Sequence, residues 1–199
     1  MSLPVDLEKI ALSLGITLIP YPLPSSICGF AYLGKSKFII YNSNHPLTRQ
    51  RFTIAHEIYH IEKHLMRERM IKKHRKVLEE EANRGAAKIL LPYSDLLAHI
   101  KEAHWRYDLT SLAKKAIVSP ITLVKRLDET KLLKVSLYKI SLKGSSPCIS
   151  KLYGDSVPLP NPALLREGAN GKEFFFRSNG HLFRFSRYGE NTLLYAYVI

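Results

Sequence analysis

Two histidines four residues apart, His56 and His60, bracket a glutamate, Glu57, in the pattern His-Glu-Ile-Tyr-His. On an α-helix, positions four apart lie about 40° apart in azimuth and about 6 Å apart along the axis. Both imidazoles can therefore converge on one tetrahedral cation. Glu57 stands about 100° round from His56, near enough to touch a metal-bound water without ligating the ion. Two neutral nitrogen ligands and a carboxylate as general base are what a zinc hydrolase needs. The pattern fixes only three positions, and an ordinary helix can carry it by chance. The flanks strengthen the metal reading: Glu57 lies between Ala55 and Ile58 on a largely apolar helix, where an unpaired carboxylate is costly.

The element that must present this set is a helix from Pro46 to His64. Proline suits a first helical turn, where its missing N–H costs nothing. Phe52, Ile54, Ala55, Ile58, Tyr59 and Ile61 cover enough of the circumference to make the helix central. His64 extends the stripe but lies about 12 Å along the axis from His56, too far for all three to meet one ion, and is read as a packing or surface residue. A metzincin arrangement wants Gly and His three and six residues beyond the second His; Lys63 and Met66 stand there.

A third ligand is expected on the next helix, Lys76–Leu91, closed by Pro92. Glu79, Glu80 and Glu81 face three directions, so at most one can look at the ion. Zinc sites whose third ligand is a Glu on a later helix commonly place an Asp or Asn four residues on, which bonds a ligand His and fixes its tautomer. Only Glu79 has such a partner, Asn83. Ala82 and Ala86 on the same side would let two helices approach closely. Glu79 is thus the expected ligand and Asn83 its orienting neighbour, while Glu80, followed by Arg84, reads as surface. The three acids also suit a helix N-terminus.

RQRFTIAHEIYHIEKH followed by EEEANRGAAKILLP resembles the ImmA/IrrE family of zinc metallopeptidases, whose pattern runs R-x-R-F-T-x-A-H-E-x-G-H, then E-x-x-A-[ND]-x-F-A-x-x-L-L-x-P. VDLEKIALSLGI and the hairpin ending IIYN are similar to that family's entry, so the likeness covers about the first half of the chain. It implies a gluzincin-like fold, zinc on His56, His60 and Glu79, and Glu57 as base. It also implies action on helix-turn-helix repressors. Two positions depart: Tyr59 stands where Gly is usual, and Gly85 where Phe is usual. A large side chain could enter space vacated on the facing helix, or the exchange could reshape the cleft.

The rest of the chain sets the surroundings. Val5–Leu14 predicts an amphipathic helix stopped by Gly15, Ile16–Ile19 a strand, and Cys28–Leu33 with Lys37–Tyr41 a hairpin. Strand 37–41 is the candidate edge for holding extended substrate by strand addition. Met66–Lys76 is a cationic tract that reads as a solvated connection. Tyr93–Ala103 predicts a helix, and Tyr93, His99, His104 and Tyr107 are formal candidates for an oxyanion donor, although a structural role is preferred for each. Asp108–Leu133 has a helix-turn-helix pattern that could offer Thr122, Lys125 and Arg126 to a DNA groove; a scaffold role is preferred. From Val135 onward short β-branched and aromatic runs alternate with turn residues. Asn179-Gly180 signals a hairpin, and Val157–Asn170 reads as an irregular connection with room for one helical turn.

Bulk properties bound these readings. With 46% hydrophobic and 24% charged residues, the 199-residue chain is globular in type. No apolar run approaches the roughly 18 residues of a membrane span, and the N-terminus lacks the basic start and apolar core of a secretory signal. Cys28 and Cys148 have no metal-ligand spacing and read as reduced, buried or semi-buried thiols, which points to a cytoplasmic protein. The net charge of +13 is concentrated in residues 61–134, with 17 Lys/Arg against 10 acids, a balance that suits an acidic partner or plain solubility.

The sequence therefore predicts an α+β protein. A zincin-like metallopeptidase domain spans 1–134, with a small sheet, an active-site helix and helix-turn-helix-like helices at 108–133, and a β-rich module spans 135–199. The expected function is a zinc-dependent endopeptidase acting by zinc-water attack on a peptide bond of a regulatory, repressor-like protein. The alternative is a DNA- or protein-binding transcriptional regulator with a structural or vestigial zinc site. Nucleic acid is a possible partner but not the favoured one, and no membrane is expected.

Overall fold

The computed structural model describes residues 3–64, 75–102 and 108–198. Most of the cationic tract, the side chain of His64, and both His104 and Tyr107 lie outside the described residues. Among those described are seven α-helices and two sheets, an α+β arrangement. Internal contacts divide the chain into two units, Met1–Lys101 with Ala113–Ser119, and Glu102–Leu112 with Pro120–Ile199. The expected boundary at 134/135 falls within the second unit.

In the first unit, α1 (Leu7–Ser13) starts at Asp6, whose side chain accepts from the Lys9 N–H. Its buried Leu7 and Ala11 form the inner face that the spacing predicts. Three strands follow, β1 (Ile16–Tyr21), β2 (Gly29–Leu33) and β3 (Lys37–Asn42). Their order is β1-β3-β2, with β1 parallel and β2 antiparallel to β3. The strand expected to be the free edge, 37–41, is therefore the central one, with fully buried Ile39 at its middle. Hairpin pairing occupies one side of β3, and β1, earlier in sequence, returns to occupy the other. Edge positions fall to β1 and β2.

Asn42 ends β3 and is fully buried. Its Nδ2 donates to the carbonyls of Leu23, Pro24 and Ile27 at 3.0, 3.0 and 2.9 Å, and its Oδ1 accepts from the N–H of Leu23 and Asn44 at 3.2 and 3.0 Å. One amide thus satisfies the backbone of a proline-rich loop that cannot form a ladder, and it fixes the chain's entry to the next helix. That helix, α2 (Leu47–Tyr59), continues into a π-type turn, His60–His64. It packs on β2, β3 and α3 (Arg75–Leu90). After α3 come α4 (Tyr93–Glu102), α5 (Leu109–Ala116) and α6 (Pro120–Glu129).

The second unit is built on a five-stranded antiparallel sheet: β4 (Val135–Lys143), β5 (Ser146–Tyr153), β6 (Phe174–Ser178), β7 (His181–Tyr188) and β8 (Asn191–Val198), in the order β5-β4-β8-β7-β6. β8 is central and is buried along Thr192–Tyr197, as a strand covered on both faces must be. The hairpin turn has Asn179 and Gly180 at φ 50° and 73°, the pair of positive values a two-residue type I′ turn requires. Residues 162–169 form α7 (Pro162–Ala169), two turns of helix where the sequence reading gave room for one. The start signal is ordinary: Asn161 caps the Leu164 N–H at 3.0 Å and Pro162 takes the first helical position. The helix lies so close to the sheet that a Cβ on Gly168 would stand 2.0 Å from Phe185 Cδ1. Leu165 joins Tyr138, Ile140, Phe183, Phe185, Leu194 and Ala196 in the core. Cys148, on edge strand β5, is exposed rather than buried or semi-buried, whereas Cys28 is half-buried; both are free thiols.

Replacing Asn42 by Ala strands several buried backbone groups at once, each costing about 1–3 kcal/mol when left unpaired. Urea unfolding should show a loss of about 3 kcal/mol or more, whereas Asn44→Ala, on the exposed side of the same loop, should change little.

Candidate metal centre

The α2 sequence puts His56 and His60 one turn apart on the side that meets α3, where buried Ala82 and Ala86 leave room for close approach. Their Nε2 atoms face each other at 2.9 Å. Glu79 closes the set from α3: its Oε2 is 3.3 Å from His56 Nε2 and its Oε1 is 3.8 Å from His60 Nε2. One ligand atom from each of the three lies within 4.8 Å of the others, the one such grouping among the described residues. Asn83 Oδ1 lies 3.1 Å from His56 Nδ1. An amide oxygen only accepts, so Nδ1 carries the proton and the Nε2 lone pair points into the cluster. Two imidazoles and a carboxylate aimed at one point, one ring fixed in the ligating tautomer, form a donor set that fits a tetrahedral zinc ion with one open position.

Glu57 stands beside the cluster and not in it. Burial, then the nearby charge of Glu79, push its carboxyl up to about 7, against the N–H of Ala31 on β2, which donates to it and pulls the other way. A group so tuned is poised to exchange a proton near neutrality.

The cluster opens into a cleft of about 650 Å³. One wall is the edge strand β2 with Cys28, Gly29, Phe30 and Ala31; α2 supplies Phe52 and Thr53, and α3 supplies Arg75 and Leu78. The sequence reading missed this β2 wall. An edge is a property of strand order, and nothing local to Gly29–Leu33 announces it. Of the formal oxyanion candidates, Tyr93 and His99 are not among the residues lining the cleft. Glu80 and Arg84 are exposed, as their spacing predicts. Glu81, by contrast, accepts a hydrogen bond from the Tyr59 hydroxyl at 3.0 Å.

Tyr59 and Gly85, the two departures from the family pattern, face each other. A Cβ on Gly85 would sit 2.0 Å from Tyr59 Cδ2, so the ring occupies the space that a side chain on α3 would take. The exchange is compensatory in packing.

The structure is that of an α+β protein with a His-His-Glu cluster that could hold a metal ion. The sequence matches the IrrE N-terminal-like domain (Peptidase_M78) over residues 11–128, more than half of its length, and the chain belongs to that family. A Mycobacterium tuberculosis transcriptional regulator has a similar structure, with a TM-score of 0.60 at 15% sequence identity, over 96% of this chain and 67% of that one. At that identity the likeness is one of fold. No curated protein matches the chain. No helix among the described residues is long and apolar enough to cross a membrane.

Zinc uptake should saturate at one ion per chain, weaken strongly in Glu79→Ala, and release protons. Glu57 titrates near 7 in the metal-free protein and is largely protonated below that; a cation alongside favours the ionised form and expels the proton. Calorimetry in buffers of different ionisation heat should therefore show more release at pH 6 in the wild type than in Glu57→Gln, with the difference vanishing by pH 9. Gly85→Ala drives a methyl into the Tyr59 ring and should cost about 1–3 kcal/mol in denaturant unfolding.

Proposed function

We propose that this chain is a zinc-dependent endopeptidase that cuts a regulatory, repressor-like protein in the cytoplasm. The observation that carries the reading is the convergence of His56, His60 and Glu79 at the floor of an open cleft with Glu57 beside them. His56, His60 and Glu79 hold the ion in this reading, and Asn83 orients His56. Zinc bound there supplies Lewis acidity toward a carbonyl oxygen and lowers the pKa of water toward neutrality.

The chain's own residues do the rest. The Glu57 carboxylate takes a proton from the attacking water and delivers it to the nitrogen of the departing amine. Burial raises its proton affinity, which helps it take up a proton and return it. Edge strand β2 offers backbone for strand addition by an extended peptide, and its Ala31 N–H ties that edge to Glu57. A peptide laid along β2 would pass the base at a fixed height. Phe30, Phe52 and Leu78 give the cleft an apolar lining.

A protein substrate in gene control is supported by membership of the IrrE-like family and by likeness in fold to a protein described as a transcriptional regulator. The alternative, direct reading of DNA by α6, is disfavoured by what its side chains do. Arg126 is 8% exposed and paired with Glu129 at 2.8 Å, and Lys125 lies over the Tyr153 ring. Two of the three side chains that would enter a groove are already engaged within the second unit, so α6 fits a scaffold better.

Glu57→Gln keeps the ligand set and removes the base. It should bind zinc with near wild-type stoichiometry and lower cleavage of a helix-turn-helix repressor by at least about a hundredfold, followed by gel or mass spectrometry. Undiminished zinc-dependent cleavage by this variant would exclude the mechanism.

A further inference from the structure

The metal ligands come from two helices, so their meeting depends on how α3 is rotated against α2. The seam between the helices is smooth. Ala55 on α2, and Ala82 and Ala86 on α3, are fully buried, and such small side chains present few ridges to set a register. A carboxylate about 6 Å from its helix axis swings about 2 Å for a 20° roll. That is a whole zinc–oxygen distance of about 2.0–2.2 Å. Something other than the alanines must fix the roll.

On the site side of the seam, the His56–Asn83 contact at 3.1 Å gives one tie. On α3, Glu81 lies about 160° round from Glu79 and Gly85 about 120° round, away from the cluster. There Tyr59 supplies the second tie: its hydroxyl donates to Glu81 Oε1 at 3.0 Å and its ring lies where a Gly85 side chain would be. Two ties on opposite sides of one seam oppose roll in both directions. We infer that Tyr59 is a positioning residue of the metal centre: its bond to Glu81 and its seat on Gly85 hold α3 at the rotation that sets Glu79 against His56 and His60. The inference rests on the metal-centre reading above. It assigns a role to the side chain that replaces the usual glycine of the motif.

Tyr59→Phe deletes the bond to Glu81 and keeps the ring on Gly85, so it leaves the packing in place. Zinc affinity is measured by competition with a chromophoric chelator, and ligand geometry by the visible absorption of the cobalt(II)-loaded protein. Affinity in Tyr59→Phe should fall about tenfold, in the range seen when partners of ligands are removed, with a changed cobalt spectrum. Glu80→Gln, on the exposed side of the same turn, should stay close to wild type. If Tyr59→Phe melts lower yet binds zinc as tightly as wild type, with the same cobalt spectrum, Tyr59 is a packing residue and the inference is overturned. A wild-type chain that takes up no zinc overturns the metal centre itself and the inference with it, and that outcome is visible before any variant is made.

Discussion

The close approach of α2 and α3 is the constraint on which the site depends. The His-His-Glu cluster is divided between the two helices, with His56 and His60 on α2 and Glu79 on α3. Completion requires Glu79 from α3, and Glu79 arrives only because Ala82, Gly85 and Ala86 keep that helix face small. The same closeness exacts a polar order. His56 must be held by Asn83, Tyr59 must find Glu81 for its hydroxyl, and a side chain on α3 must be given up to seat the Tyr59 ring. The second unit solves a similar problem in the same way, with Gly168 of α7 yielding to the Phe185 ring. In both places an aromatic knob replaces contacts that two full-sized side chains could not make together.

Electrostatics links this packing to chemistry. Glu57 and Glu79 are like charges near each other in a partly buried cleft, and the Glu79 charge makes ionisation of Glu57 harder. In the metal-free protein burial first, and the Glu79 charge second, raise the proton affinity of Glu57. A divalent cation on the His-His-Glu set would neutralise Glu79 and turn the same arrangement favourable. Burial, hydrogen bonding and charge thus favour occupancy by a cation and a base beside it that holds a proton only loosely near neutral pH. Edge strand β2 meets Glu57 through the Ala31 N–H, so the edge proposed to take a peptide and the proposed base share a hydrogen bond.

The second unit bears on partner choice. One sheet face is covered by α7, and the other is buried too, with Thr110 donating to the Tyr195 hydroxyl at 3.0 Å, Asp108 paired with Arg184 at 3.0 Å, and α6 packed on β4 and β5. α6 thus packs against the sheet of this unit and buries its apolar face. Its helical spacing and Pro120 start match a recognition helix, but periodicity cannot say whether an amphipathic helix turns its polar side to a groove or to its own sheet. Arg126 and Lys125 go to their own unit, to Glu129 and Tyr153.

Much of the architecture was legible in the residues because it follows from short-range rules. Helical periodicity, Gly15 and Pro92 as stops, and Asn179-Gly180 as a hairpin turn act within a few residues. His56, Glu57 and His60 share one helix, whose spacing is fixed by backbone geometry. The i to i+4 relation of Glu79 and Asn83 is local in the same sense and marks one acid of three. The edge position of β2 was not legible, because strand order depends on which distant strand pairs beside β3. Nor was the outcome of the Tyr59 and Gly85 exchange, which is a fact about two facing helices. α7 was missed although Asn161-Pro162 announces it, because a short helix on a sheet owes its stability to packing and little to propensity. The sequence by itself determined the chemical groups and their local spacing; the tertiary structure alone decided their distances across helices, since those are set by side-chain volumes far apart in the chain.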